Sequence, residues 1–242
     1  MWGRNMIFSI IVLVVGLCIG IPAVCGLIYL AMTAVQSDTG MIIMIICGAL
    51  LILGIFSASA AVIFLVPMVR NRKVDAYFEV LGLKGSAYAL FFRQYHGSYK
   101  GYSVYAKYYR GVNIELLVQS PLNTRMAIGT RSGLGVALSG VLGLKEMELE
   151  APEFAAFAAS AHDEQWAQSL ISSPDVRTLI VKLLAHVHAT ELRSLIVQPD
   201  GVKLSITHTY MDILNAENVQ SWFDDLLIIV EEAENLPPAQ AV

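Results

Sequence analysis

The first 69 residues carry no alternation of apolar and polar positions. They read as two unbroken apolar stretches, about 7–35 and 41–69, joined by Gln36-Ser37-Asp38-Thr39-Gly40, and neither stretch holds a charged residue. An uncharged apolar run of 18 or more residues reads as a membrane-spanning helix, because lipid offers the backbone no hydrogen bonds. The pattern therefore predicts a transmembrane helical hairpin over 1–69. From Arg70 onward the pattern becomes periodic. Tyr102, Val104, Ala106 and Tyr108 alternate with Ser103, Tyr105 and Lys107, and Val112, Ile114, Leu116 and Val118 line one face of a second run. With Tyr109-Arg110-Gly111 between them, the two runs predict a β-hairpin, and His96-Gly97-Ser98 suggests an earlier turn of the same meander.

The later half is punctuated by helix and turn signals. Ser173-Pro174-Asp175 reads as a helix start, with proline in the first helical position. Val176, Leu179, Ile180, Leu183 and Val187 then form one apolar stripe. A shorter helix around Asp163–Ile171 buries Trp166 and Leu170. Glu191–Val197 and Val202–His208 flank the turn Pro199-Asp200-Gly201. A last helix, about Ala216–Asn235, buries Val219, Trp222 or Phe223, Leu226, Ile229 and Ala233; Asn215 caps it and Pro237-Pro238 ends it. The predicted fold class is thus α+β. An N-terminal transmembrane hairpin is followed by a connector over 70–90, one cytoplasmic domain over 91–236 with an antiparallel meander and packed helices, and a tail over 237–242.

Composition agrees with that division. The chain is 56% hydrophobic with a formal net charge of −4. Arg4 precedes the first stretch and Arg70, Arg72 and Lys73 follow the second, so the positive-inside rule places both termini and the main domain in the cytoplasm of a bacterial cell, anchored in the inner membrane. Arg70–Arg131 holds ten Lys or Arg against three acids, whereas 132–242 holds five against sixteen. The basic part begins where the membrane would end, which suits contact with anionic headgroups through Arg70, Arg72, Lys73, Lys100, Arg125 and Arg131. Tyrosines interleave with those basic residues, a combination that can stack on nucleic acid. Tyrosine is also a favoured strand residue, and no nucleic-acid partner is expected.

Candidate chemistry is sparse. Cys18, Cys25 and Cys47 all lie in the apolar stretches and read as packing residues. Gly16 and Gly20, with Gly54, Ala58 and Ala61, form small-residue faces that pack the two helices together or dock another subunit. Gly133-Leu134-Gly135 lacks the third glycine of a dinucleotide fingerprint, and Leu134–Leu144 reads as a buried loop or short helix. Glu146, Glu148 and Glu150 alternate on one strand face as solvated acids. His186 and His188 are two apart and do not share a helix face; only with His208 and Asp212 would they make a metal set. No cofactor is implied.

Glu148-Leu149-Glu150-Ala151-Pro152-Glu153-Phe154, Asp163-Glu164-Gln165-Trp166, the Pro174 helix and Gly97-Ser98-Tyr99-Lys100-Gly101-Tyr102 together resemble uncharacterised bacterial proteins with two N-terminal membrane helices and a small cytoplasmic α+β domain. The resemblance implies an architecture and no activity. The function expected from the residues is a non-enzymatic, membrane-anchored accessory or scaffold subunit. It would sit in the lipid bilayer and dock onto a protein partner, or onto a second copy of itself. A membrane-tethered hydrolase or metal enzyme and a sensor of anionic headgroups are the alternatives.

Overall fold

The computed structural model describes residues 68–89, 92–109, 113–130, 144–149, 151–185, 188, 191–207 and 209–238, with positions 26, 29, 48, 50, 51, 53–55 and 57 before them. The chain divides into two compact units, Met1–Arg70 and Asn71–Val242.

The first unit corrects the expectation of a membrane hairpin. Among the described residues no helix is long and apolar enough to cross a membrane. An apolar run satisfies only the hydropathy requirement; a span also needs about 20 residues in one continuous helix. The rest of 7–35 and 41–69 lies outside the described residues. The two-span, inner-membrane location drawn from those stretches falls with the hairpin.

The second unit is an antiparallel sheet with helices on one face. Its strands are β1 (Lys84–Ala89), β2 (Phe92–Tyr99), β3 (Tyr102–Tyr109), β4 (Asn113–Gln119), β5 (Met126–Thr130), β6 (Lys145–Met147), β7 (Phe157–Ala161), β8 (Leu192–Gln198) and β9 (Gly201–Thr207). Their spatial order is β1-β2-β3-β4-β9-β8-β5-β7-β6. The helices are α1 (71–79), α2 (Glu164–Ser172), α3 (Pro174–Leu184) and α4 (Ala216–Asn235).

Because side chains alternate across a strand, the register decides what each face presents. One row of paired residues runs Tyr95, Ala106, Leu116, Leu204, Leu195, Ile128, Ala159 and Met147 across eight strands. Every member is buried. The adjacent row on the opposite face runs His96, Tyr105, Leu117, Lys203, Ile196, Ala127, Ser160 and Glu146. It mixes polar and apolar side chains. A one-residue slip of any strand would exchange the two rows.

The helices follow their caps. Asp163 accepts a hydrogen bond from Trp166 N at 3.0 Å, and Asn215 accepts one from Asn218 N at 2.8 Å, satisfying amides that have no partner inside the helix. Val176, Ile180 and Leu183 of α3 are buried, as are Val219, Trp222, Phe223, Leu226, Ile229 and Ala233 of α4. Both Trp222 and Phe223 face inward, because α4 packs on the sheet with one side and on α3 with another.

Two expected features sit elsewhere. His96-Gly97-Ser98 is no turn; it lies inside β2. The chain reverses at Lys100 (φ 50°) and Gly101 (φ 92°), the two left-handed residues that a tight hairpin turn requires. Met126–Thr130, to which the sequence reading assigned no element, is strand β5.

α1 is fastened to β2 by charge and by ring stacking. Arg93 donates to both oxygens of Asp75, at 2.9 and 2.6 Å, and Tyr95 donates its hydroxyl to Asp75 at 2.8 Å. The Tyr95 ring stacks on Phe78 at 4.1 Å. Burial pushes the Tyr95 phenol well above its ordinary value, and the hydrogen bond to Asp75 raises it further. The folded protein therefore keeps a proton that the unfolded chain releases. The stabilisation is fully present below about pH 10 and is lost as pH rises beyond it. Tyrosinate absorbance of the folded protein is expected to stay short of the amplitude of all ten tyrosines until alkaline unfolding. Tyr95→Phe should cost about 1 kcal/mol at neutral pH and move the alkaline unfolding midpoint upward. Full ionisation without unfolding would contradict this.

Candidate functional site

At one end of the sheet four chain segments converge on an open cleft of about 470 Å³. The first is the link from β4 to β5. Ser120 N donates to Asp200 O at 3.0 Å and Leu122 N to Pro199 O at 3.1 Å, which ties this link to the β8–β9 turn. Asn123 then takes φ 54°, a left-handed conformation that asparagine tolerates better than most side chains. The second is the end of α4, where Ala233, Glu234 and Leu236 are followed by Pro237 and Pro238. The third is the first turn of α2, which supplies Trp166, and the fourth is the β8–β9 turn, which supplies Pro199.

Four prolines, Pro121, Pro199, Pro237 and Pro238, stand around the cleft. Proline has a fixed φ and no N–H, so this rim is stiff and poor in donors. The floor is apolar: Leu122, Trp166 and Ala233 are buried side chains. Glu234 is the one acid in the wall among the described residues, and its position is set from the sheet. Ser120 Oγ donates to one carboxylate oxygen at 2.6 Å, and Tyr102 OH donates to the other at 3.1 Å. Burial and the Glu234 carboxylate both raise the Tyr102 phenol. Glu231 also raises it, which places that acid within electrostatic reach.

The other charged clusters of this unit hold elements together. Lys182 of α3 reaches Asp225 of α4 at 2.7 Å. Arg193 and Glu191 form a buried pair at 2.8 Å. Arg193 also donates to Leu183 O at 3.1 Å and lies 5.6 Å from the centre of the Trp222 ring. Lys100, expected at lipid headgroups, pairs with Asp224 of α4 at 2.8 Å, and Tyr99 OH donates to the same carboxylate at 2.8 Å. That carboxylate is what raises the Lys100 ammonium above its ordinary value.

The remaining expected site residues are scattered. Arg72 and Lys73 are exposed on α1, and Arg70 is half-buried in the first unit. Arg125 is half-buried, and its carbonyl accepts from His162 N at 2.9 Å; Arg131 lies outside the described residues. His188 and Asp212 do come together, at 3.7 Å, with His188 packed against Tyr210 at 4.2 Å. His186 and His208 lie outside the described residues. Among the described residues, no group of three or more His, Cys, Asp or Glu could hold a metal ion. Of the small-residue positions, Gly54 is helical, and a Cβ added there would meet nothing within 4 Å. Gly16, Gly20, Ala58 and Ala61 lie outside the described residues.

Sequence reasoning missed the cleft. Its prolines were legible only as local stops and turns, since no spacing along the chain announces that 121, 199 and 237–238 meet. No family model matches the chain, and no curated protein does. Among solved structures, the mycobacterial trehalose monomycolate transport factor A, TtfA, is similar over 71% of this chain and 96% of its own, with a TM-score of 0.42 and 8% identity. A likeness of that degree carries no inference about activity.

Proposed function

We propose that the unit Asn71–Val242 is a docking module, and that the protein acts as a non-enzymatic accessory or scaffold subunit seating a segment of another protein in the proline-rimmed cleft. The observation that carries this reading is the cleft itself. It is concave, floored by Trp166 and Leu122, walled by residues from four segments, and contains one carboxylate already fixed by two hydroxyls. Binding sites are concave and mostly apolar, with a few placed polar groups, and about 300–1,000 Å³ is their usual size. A rim of fixed φ lowers the ordering cost of binding. The ion pairs elsewhere in the unit support the same reading, since Lys182–Asp225, Arg193–Glu191 and Arg93–Asp75 clamp helices and strands together.

The test is photo-crosslinking in the producing cell from a reactive residue at Asn123, on the exposed rim, with a control at Glu217 at the far end of α4. The expected result is one adduct with a different polypeptide from position 123 and none from 217. No adduct from 123, or the same adducts from both positions, would remove the docking reading.

A further inference from the structure

We infer that the segment seated in this cleft is basic: a short linear stretch of a partner protein that places an apolar side chain on Trp166 and Leu122 and a Lys or Arg beside Glu234 and Glu231. The inference rests on the docking reading and adds the chemistry of the ligand.

Its first support is an arrangement that costs stability. The last turn of a helix carries partial negative charge, so cations are favoured there and acids are not. The end of α4 does the opposite. Glu231, Glu232 and Glu234 are all exposed in its final turns, and no basic residue occupies the last turn. Local choices that oppose their own helix are retained where binding needs them.

The second support is that one of these acids is held ready. Ser120 Oγ and Tyr102 OH each take one oxygen of Glu234, so the carboxylate needs no reordering when a cation arrives. A carboxylate has about four lone-pair sites and these two donors use two of them. Glu231 lies one turn away on the same face, and both acids act on the Tyr102 phenol. A guanidinium or ammonium at the cleft mouth would therefore meet the fixed Glu234 carboxylate, with Glu231 one turn back, where it also acts on Lys100.

The third support is the rim. Prolines present carbonyls and no N–H groups, which makes the cleft poor at holding anions and leaves its apolar floor to bind side chains. Pro199 O already accepts from Leu122 N. An apolar anchor flanked by a cation matches both parts of the surface, and opposite charge across a rim sets specificity and on-rate.

The experiment uses the full chain and three synthetic peptides of one apolar pattern that differ only in their polar positions: arginine, glutamine or glutamate. Binding is read by fluorescence anisotropy at low and high salt. The arginine peptide is expected to bind best, and to weaken as salt rises. The double variant Glu231→Lys, Glu234→Lys should weaken it about tenfold or more. If that variant is misfolded by circular dichroism, Glu231→Lys alone serves, because the hydrogen bonds from Ser120 and Tyr102 go to Glu234 and are kept. Equal binding of the three peptides, binding of the arginine peptide unchanged in the variants, or no binding would overturn the inference. So would self-association of the chain that the charge reversal abolishes, since a second copy would then cover the cleft. A crosslinked partner at Asn123 together with charge-blind peptide binding defeats this inference and leaves the docking reading standing.

Discussion

Gly201→Ala is expected to cost on the order of 4 kcal/mol or to prevent folding, which urea denaturation of the purified protein followed by circular dichroism would measure. The residue opens β9 with φ +147°, a backbone conformation that side-chain-bearing residues rarely adopt. The space is closed as well. A Cβ built there would overlap the carbonyl oxygen of Val118 and sit 2.9 Å from its carbon and 3.0 Å from Gln119 Cα. Those are backbone atoms of a neighbouring strand, so relief requires β4 and β9 to part, and they are paired from Ile114↔Ile206 to Gln119↔Gly201. Gly201 is also the partner of Gln198 across the turn. Strain at this point is therefore felt in two ladders. A variant that unfolds within about 1 kcal/mol of the parent would show that the seam gives more easily than close packing allows.

Glu191→Ala should cost about 3–5 kcal/mol, because it leaves the Arg193 guanidinium buried without its counter-charge. Both side chains are almost wholly shielded from water, at 5% exposure for Arg193 and 0% for Glu191. Leu183 O and the Trp222 ring soften the loss without supplying a negative charge. The informative comparison is the double variant Glu191→Leu, Arg193→Met. Replacing both partners with apolar groups of similar volume removes the desolvation cost together with the attraction, so its stability should return to within about 1–2 kcal/mol of the parent. If the double variant is as unstable as Glu191→Ala, the site depends on something other than the pair.

Much of the second unit was legible in the sequence, because its elements obey short periods. β3 and β4 showed themselves by alternation, α3 by Pro174, and α4 by a capped stripe with a double proline after it. The misreadings have physical causes. His96-Gly97-Ser98 has turn composition, yet a Cβ on Gly97 would come within 2.9 Å of Leu83, so the glycine serves a close approach inside a strand. β5 was missed because Met126–Ile128 is buried on both faces, and a doubly buried strand has no alternation to read. β1 was passed over because Gly85, Ala87 and Tyr88 are all exposed, which gives an edge strand little pattern. The apolar stretches before residue 69 were read as spanning helices from hydropathy alone, and among the described residues no helix is long and apolar enough to cross a membrane. The cleft was illegible for a different reason: it is made by segments about 30 to 115 residues apart, and only the tertiary fold joins them.

The placement of β9 beside β4 also dictates an order of events. β1 to β4 can zip together from neighbouring hairpins as soon as they are made, but the outer edge of β4 is completed by a strand that begins at Gly201. Closing that seam requires a loop of more than 80 residues to be drawn in, an entropic expense that local pairing never meets. Until then, the first four strands present a bare rank of amides and carbonyls, the kind of edge that recruits strangers. The midline of the finished sheet is thus its latest joint, and a ribosome making this chain would expose a half-built sheet for most of the time it takes to write the other half.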